Sequence, residues 1–321
     1  MHTDNLIKLK PFKNLYCDVL FCGLSEFLGY YLDEQTLVKN ISIGDLETIT
    51  KYVAVKNKMA GAGEVFMKMP YPRIACKALE KYGLKGKEIL SAKVVNNLTF
   101  DDFVGDKIII EIEDINDYSD GQLGDISQFS AKTDTPILIN FGQTLQEVGK
   151  AVNRFGMSPA SVLESFGFLD RICYLKGLNF IDKDDQMLLL SYGAQLVFSP
   201  RQDGEEGKGA INLYNFIFHG HKFGFASGKC YNIDMLKEGK VALINANNLM
   251  QKRVVSAKQI MSALQADFGE IEMDFDSESI QDALLESHFQ CNDENLANEY
   301  CLLRTQTKKI ANKLKEKLNG N

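Results

Sequence analysis

The stretch GMSPASVLESFGFLDRICYLKGLNFIDKDDQMLLLSYGAQLVFSPR, residues 156–201, decides the fold class. Apolar residues at three- and four-residue steps predict helices, whereas short apolar runs at 171–176 and 194–199 predict strands. Ser158 followed by Pro159 is typical of a helix start, because the serine caps the helix and proline fits its first turn. The stretch therefore predicts helix, strand, helix and strand in succession.

The same alternation extends along most of the chain. The predicted strands lie at 6–10, 63–68, 87–94, 107–114, 136–141, 171–176, 194–199 and 222–227. The predicted helices between them lie at 45–60, 71–83, 144–156, 182–194 and 209–220. Apolar strands separated by helices form parallel sheets covered on both faces. Eight such units predict an α/β fold, a (β/α)8 TIM-type barrel. The alternative is an open doubly wound sheet, but no GxGxxG turn follows the first strand.

The pattern changes after about residue 250. Helical stretches follow at 256–269, 278–289 and 295–318, and the last ends in a run of lysines that suits a solvated helix C-terminus. We therefore predict two parts, a barrel over residues 1–250 and a helical C-terminal extension over residues 251–321.

Composition restricts the class of protein. The 321 residues are 45% hydrophobic and 25% charged, with no apolar run of the roughly 18 residues that a membrane span needs. The chain opens without a signal-peptide pattern, and its seven cysteines form no CxxC pair, which together predict reduced thiols and a cytoplasmic location. A net charge of −7 disfavours nucleic acid and anionic membranes as partners.

Ordered segments in the middle of the chain resemble the amidohydrolase superfamily, in particular its branch of cytosine and guanine deaminases and chlorohydrolases. These segments are KNKMAGAGEVFMK (56–68), ILINFGQTLQEV (137–148), the stretch 156–201, and GKGAINLYNFIFHGHKFGFASG (207–228). The resemblance implies a barrel that holds a divalent metal at the C-terminal mouth, where the metal activates water for attack on a ring or amide carbon. Its metal ligands would be an HxH pair on the first strand, a His on the fifth, a His on the sixth and an Asp on the eighth.

Other side chains stand at the matching positions here. The fifth-strand His falls on Asn140, the sixth-strand His on Lys176, and the eighth-strand Asp on Gly228, with Ser227 beside it. The Glu that shuttles protons in the family falls on Gln143. An amide does not titrate in the useful range, so Gln143 cannot take over that proton transfer.

The first predicted strand contains no His. Lys8 and Lys10, or Pro11 and Lys13, would occupy the positions of the HxH pair. Metal sites of this type need imidazole, thiolate or carboxylate donors, whereas a Lys ammonium repels the cation and Asn offers a neutral oxygen. We therefore predict no metal and no cofactor, with zinc or iron as the alternative.

Two other groups of residues are candidate sites. His219 and His221 form an HxH, but they fall between a predicted helix and a predicted strand, at the stability end of a barrel. Glu111 and Glu113 share one face of a predicted strand, where they either line the barrel or meet the helical layer. A carboxylate pair from one segment without a third partner is a weak signal for acid–base chemistry or Mg²⁺ binding.

Two further features of the sequence could be structural or functional. RQDGEEGKGA (201–210) follows the seventh predicted strand and is either a substrate loop or a solvated connection. Cys173 lies within a predicted strand, where a buried, inert thiol is the default.

The sequence leads to a ranked set of functions and assigns no catalytic residue. The first is a catalytically degenerate, metal-free barrel that binds a small ligand or a partner protein through Asn140, Gln143, Lys176 and Ser227. In it, Lys176 either holds an anionic ligand or pairs with a carboxylate such as Glu111 or Glu113. The second is an active hydrolase on C–N bonds with a rearranged metal site or without metal. The third is a mainly structural subunit, for example in a homo-oligomer.

Overall fold

A computed structural model describes residues 6–29, 34–95, 107–266, 271–274 and 293–319. Its strands are β1 Leu6–Leu9, β2 Phe12–Asp18, β3 Ala62–Met69, β4 Lys85–Ser91, β5 Ile108–Ile112, β6 Ile137–Phe141, β7 Cys173–Gly177, β8 Gln195–Phe198, β9 Phe223–Phe225 and β10 Ile271–Asp274. Its helices are α1 Val19–Leu28, α2 Glu34–Asn40, α3 Ile43–Met59, α4 Ala75–Lys81, α5 Ala92–Val95, α6 Asp120–Thr133, α7 Leu145–Phe155, α8 Pro159–Ser165, α9 Lys183–Tyr192, α10 Pro200–Glu205, α11 Leu213–His219, α12 Met235–Leu249, α13 Ala257–Leu264 and α14 Glu294–Asn319.

Strands β2 to β9 form one eight-stranded sheet in sequence order. Strand β2 runs parallel to β3, and β5 to β9 run parallel to one another in turn. The chain after β9 returns to β2, where Cys17 and Gly228 form a parallel bridge. There the Asp18 N–H donates to the Gly228 carbonyl at 2.9 Å. This nearly closed sheet with alternating helices confirms the predicted (β/α)8 barrel.

The first barrel strand was predicted in the wrong place. Residues 6–10 were expected to open the barrel, but β1 instead pairs antiparallel with β10, and the barrel begins at Phe12–Asp18. The alternating apolar and charged residues of LIKLK suit a strand outside a barrel core. Strand β2 is buried even though it contains Asn14, because that side chain is fully hydrogen-bonded inside.

The first of two compact units contains residues 1–88, 226–237 and 264–321. Helix α14 packs along α3 and α1. Its buried side chains repeat at three- and four-residue steps, namely Leu303, Thr307, Ile310, Ala311 and Leu314. Such a stripe on one face of a helix is what a partner surface of two helices requires.

The second compact unit contains residues 89–225 and 238–263. Its core is built from the β-branched and leucine residues of the strands, with Ile109, Ile139, Leu175 and Val197 fully buried. Because these strands are covered on both faces, they read as continuous apolar runs in the sequence. That pattern allowed the strand predictions from residue 107 to residue 227 to succeed.

The predicted helices are present with shifted ends. The stretches at 45–60, 71–83, 144–156, 182–194 and 209–220 correspond to α3, α4, α7, α9 and α11. The side chain of Ser158 accepts from the Ser161 N–H, and Pro159 opens α8, as predicted. Helices α1, α2, α5, α6, α10 and α12 were not predicted. Residues 92–94 had been assigned to a strand and residues 201–205 to a loop or connection.

The two C-terminal helices that fall on described residues are present as α13 and α14. The predicted helix at 278–289 lies outside the described residues. None of the helices in the described part of the chain has both the length and the hydropathy of a membrane span.

Candidate functional site

The C-terminal ends of β6 and β7 bring two of the predicted site residues side by side. Asn140 and Lys176 are register partners in the parallel pair. The Asn140 Nδ2 lies 3.5 Å from Glu111 Oε1, while its Oδ1 is buried without a hydrogen-bond partner among the described residues. Lys176 is only 5% exposed. A buried ammonium beside a buried amide is a costly arrangement that needs a counter-charge.

That counter-charge includes Asp203, which lies in α10 just after β8 and is buried. Burial raises the pKa of the Asp203 carboxyl, and the nearby ammonium groups of Lys176 and Lys208 oppose that rise. The carboxylate of Glu113 has a different partner, since it accepts a hydrogen bond from Tyr118 Oη at 2.8 Å. Asp203 is therefore a nearby carboxylate whose charge interacts with that of Lys176, and it was not predicted from the sequence.

Gln143 lies at the entrance to α7 and is 8% exposed. Its Oε1 accepts a hydrogen bond from Lys208 Nζ at 2.9 Å. It follows Gly142, whose φ of 60° and lack of a side chain fit a tight turn, because a β-carbon there would lie 2.7 Å from Ile181 Cγ2. The turn thus presents Gln143 to the residues that follow β8.

Glu147 fixes this turn from the first turn of α7. Its Oε1 accepts from the Gly142 N–H at 2.9 Å and its Oε2 accepts from the Gln143 N–H at 3.0 Å. Burial raises the pKa of Glu147 to about 7, and nearby Asp114 adds to the rise, while the two N–H bonds oppose it. Glu147 is a positioning residue that was not predicted from the sequence.

Ser227 lies in the first compact unit and belongs to a separate network. Its N–H donates to Asn14 Oδ1 at 2.9 Å, and its Oγ accepts from Asn14 Nδ2 at 2.9 Å. The same Asn14 amide donates to Asn57 Oδ1 at 2.8 Å. The structure therefore groups Asn140, Gln143 and Lys176 within one unit and places Ser227 in the other.

The candidates for the first-strand HxH positions do not lie at the end of a barrel strand. Lys8 belongs to β1, Lys10 and Pro11 connect β1 to β2, and Lys13 is the second residue of β2. The C-terminal end of β2 is formed instead by residues 16–18. There Asp18 caps α1 by accepting from the Phe21 N–H at 3.2 Å.

Cys17 and Cys22 are two buried thiols near the end of β2. Cys17 accepts from Asn57 Nδ2 at 3.6 Å, and Cys22 Sγ lies 3.4 Å from the Gly228 carbonyl oxygen. Gly228, which matches the family's eighth-strand Asp, contributes backbone groups alone to this region. The sequence signal that could have located this cluster is FKNLYCD itself, in which Lys13 and Asn14 stand between apolar residues.

The donor set does not fit a bound divalent metal. Among the described residues, no three His, Cys, Asp or Glu side chains lie together in a way that could hold a metal ion. The positions that match the family's ligands carry an amide, an ammonium and a glycine, which cannot replace imidazole and carboxylate donors.

The HxH pair lies where the sequence predicted, before β9. His219 ends α11, and His221 is buried in the connection, 5.2 Å from the ring of Phe216 in an edge-on contact. Burial lowers the pKa of His221, which favours the neutral imidazole. Cys173 is buried as predicted, and burial raises the pKa of its thiol to about 12.

Comparison with known proteins places this geometry in context. No family model matches the chain. The chain is 25% identical over 125 residues to a 5-methylthioadenosine/S-adenosylhomocysteine deaminase of Thermococcus kodakarensis. The matched residues are 38% of this chain and 30% of that relative. Its fold matches an adenosine deaminase from Xanthomonas campestris with bound zinc, at a TM-score of 0.73 and 11% identity over 95% of this chain and 87% of that one.

The chain is similar in sequence to proteins named as deaminases, and in fold to deaminases and hydrolases of known structure. A guanine deaminase from C. acetobutylicum has the same fold, at a TM-score of 0.65 and 13% identity, covering 88% of this chain and 84% of that one. The sequence match covers less than a third of the Thermococcus relative's length. The likeness to these solved structures therefore shows the fold of this chain.

Proposed function

We propose that this amidohydrolase-like barrel is a metal-independent protein that binds a small ligand at the ends of β6, β7 and β8. Asn140, Gln143 and Lys176 would contact the ligand, and Asp203 would hold Lys176 in place. Ser227 is left out, because both its N–H and its hydroxyl are engaged by Asn14.

The buried ammonium of Lys176 is the observation that carries the proposal. It occupies a strand end that matches a metal-ligand position, and the Asp203 carboxylate lies close enough to feel its charge. The ammonium repels a metal cation at this position. A polar ligand, in contrast, would gain binding free energy from a hydrogen bond to a charged donor in a site with little water. The buried, unpaired Oδ1 of Asn140 is a further group that a ligand donor would satisfy.

Metal content and ligand binding test the proposal together. Elemental analysis of the purified chain is expected to show no stoichiometric zinc or iron, and added zinc should not raise its Tm. The first ligand probes are 5-methylthioadenosine and S-adenosylhomocysteine, because both compounds appear in the name of the Thermococcus relative. We expect calorimetry to show binding without ammonia release, weakened about tenfold or more in Lys176→Met by loss of a charged hydrogen bond. Lys183→Met, an exposed change in α9, is the matched control.

The second candidate function is a metal-dependent hydrolase or deaminase acting on C–N bonds. The observation in its favour is the likeness in sequence and fold to proteins named as deaminases. Stoichiometric zinc that is lost in Asn140→Ala, together with ammonia release from either probe, would establish it and refute metal independence. Association with a second copy or a partner protein stays a prediction, and light scattering of the purified chain tests self-association.

A further inference from the structure

The segment from Glu206 to Gly209 follows α10. Its two glycines are exposed, whereas the side chains of Lys208 and Glu206 are 23% and 33% exposed. Gly207 and Gly209 have φ values of 67° and 90°, which glycine adopts without strain. We call residues 206–209 the strap. Besides its hydrogen bonds to α10, it contacts the rest of this unit at further points.

One of those points is the hydrogen bond from Lys208 Nζ to Gln143 Oε1, at 2.9 Å. It joins the strap to the turn after β6, where the candidate ligand site begins. Within the strap, Lys208 also pairs with Glu206 at 2.5 Å, so the ammonium is charge-balanced while it covers Gln143. The contact explains why Gln143 is buried although it lies on a turn.

A second point of attachment is apolar. Gly209 lies against the ring of Phe180, which follows β7, and a β-carbon at position 209 would lie 3.4 Å from Phe180 Cζ. The strap therefore crosses from the end of β8 to the segments that follow β6 and β7. These are the strand ends that carry Asn140 and Lys176.

From this arrangement we propose that the strap is a gate over the ligand site, and that the hydrogen bond between Lys208 and Gln143 is its latch. A ligand that reaches Gln143 must displace the Lys208 ammonium from its acceptor. The strap then lifts from the end of α10, and Lys208 is free to donate to the ligand. This inference rests on the proposed function for the identity of the site, but the latch itself is a property of the protein without ligand.

Backbone amides at the strap report on the latch. The N–H groups of Glu206, Gly207 and Lys208 donate to the carbonyls of Gln202, Gly204 and Asp203 at 2.9, 3.3 and 2.8 Å. Lifting the strap separates these groups from the end of α10, so their hydrogen exchange with solvent follows the open fraction. Exchange can be measured by mass spectrometry on the full chain without any ligand.

The experiment compares single and double variants. Lys208→Met removes the donor at similar side-chain length, and Gln143→Leu removes the acceptor. We expect each single variant to speed hydrogen exchange of the strap amides about tenfold, because each loses a hydrogen bond to a charged group. The double variant should exchange no faster than either single variant, since both remove the same bond. Lys208→Arg keeps a donor and should restore slow exchange. Lys183→Met should leave exchange unchanged.

The outcomes separate clearly. Unchanged exchange in Lys208→Met, or additive effects in the double variant, would overturn the latch. Amides of β7 serve as an internal control, because wild-type exchange there shows that a variant has kept its fold. Failure of the latch would leave the proposed function standing, since metal content and the effect of Lys176→Met test that function without the strap.

Discussion

Glu147 shows at the scale of one residue how burial and hydrogen bonding compete. Both of its oxygens accept backbone N–H bonds, which favour the carboxylate, yet burial dominates and raises its pKa from 4.5 to about 7. Between these two pH values the folded chain binds a proton that the unfolded chain has released. The free energy of unfolding should therefore fall as pH rises from about 4.5 to about 7.

Glu147→Gln tests this pH dependence, because an amide does not titrate. Its oxygen can accept one of the two N–H bonds but its NH2 group cannot accept the other, so the pH dependence and not the absolute stability is compared. We expect the natural chain to lose at most about 3 kcal/mol more stability than the variant as pH rises from about 4.5 to about 7, at about 1.4 kcal/mol per pKa unit. Urea unfolding at pH 5 and pH 8 measures the difference. Glu316→Gln, an exposed change on α14, controls for net charge. Equal slopes in Glu147→Gln and the natural chain would contradict the prediction.

The position of a site residue could be predicted from the sequence only where the residue lies on a strand with a clear apolar pattern. Asn140 and Lys176 could be paired in advance because both end strands, and parallel register places strand ends together. Asp203 lies on the short helix α10 and Lys208 on the segment after it, and no apolar periodicity in the sequence specifies the path of either. Their polar, Gly-rich stretch was predicted as either a substrate loop or a solvated connection. In the structure its first half is helical and Lys208 bonds to Gln143, while its role towards a substrate stays a prediction.

At the scale of elements, the start of α6 shows a signal that was present in the sequence and not used. Ser119 accepts from the Gln122 N–H at 3.3 Å, while Gln122 Oε1 accepts from the Ser119 N–H at 2.8 Å. This reciprocal pair is a capping box, and its S-x-x-Q spacing is readable in the sequence. Helix α6 was missed because its Gly-containing first turns weaken the apolar periodicity.

The capping box should contribute measurably to stability. Ser119→Ala removes the acceptor for the Gln122 N–H, and we expect it to lower the free energy of unfolding by about 1 kcal/mol. Ser119→Asp keeps an acceptor and adds a negative charge at the helix N-terminus, so it should retain wild-type stability. Urea unfolding of the three proteins measures this. A loss of equal size in both variants would show that the serine hydroxyl acts through something other than the cap.

The first barrel strand shows the limit of pattern reading for elements. LIKLK alternates more regularly than FKNLYCD, yet the second is the barrel strand. Alternation is expected of a strand with one covered face, whereas a strand covered on both faces needs its polar residues satisfied inside. Asn14 meets that requirement through Asn57 and Ser227, which lie far from it in sequence. No local pattern carries that information.

At the scale of the whole molecule, fold class was predictable because alternating strands and helices leave few topologies. What the sequence did not specify is how the segments before and after the barrel pair. The first compact unit draws on three separate segments, and β1 of the first segment pairs with β10 of the last. Long-range pairing of this kind depends on loop closure and on packing, which a window of sequence does not contain.

The first compact unit depends for its stability on helix α14. Truncation after Asp293 removes α14 and uncovers the faces of α1 and α3 on which Leu303, Ile310 and Leu314 pack. Each of these buried side chains contributes roughly 1.5–3 kcal/mol, so their joint loss is comparable to the whole stability of an ordinary domain. We expect the truncated chain to bind a hydrophobic dye, to aggregate on gel filtration and to lose its cooperative thermal transition. Lys313→Ala, on the exposed face of the same helix, should change none of these properties. A truncated chain with an unaltered Tm would show that the rest of the unit is stable without α14, since no other described segment replaces those contacts.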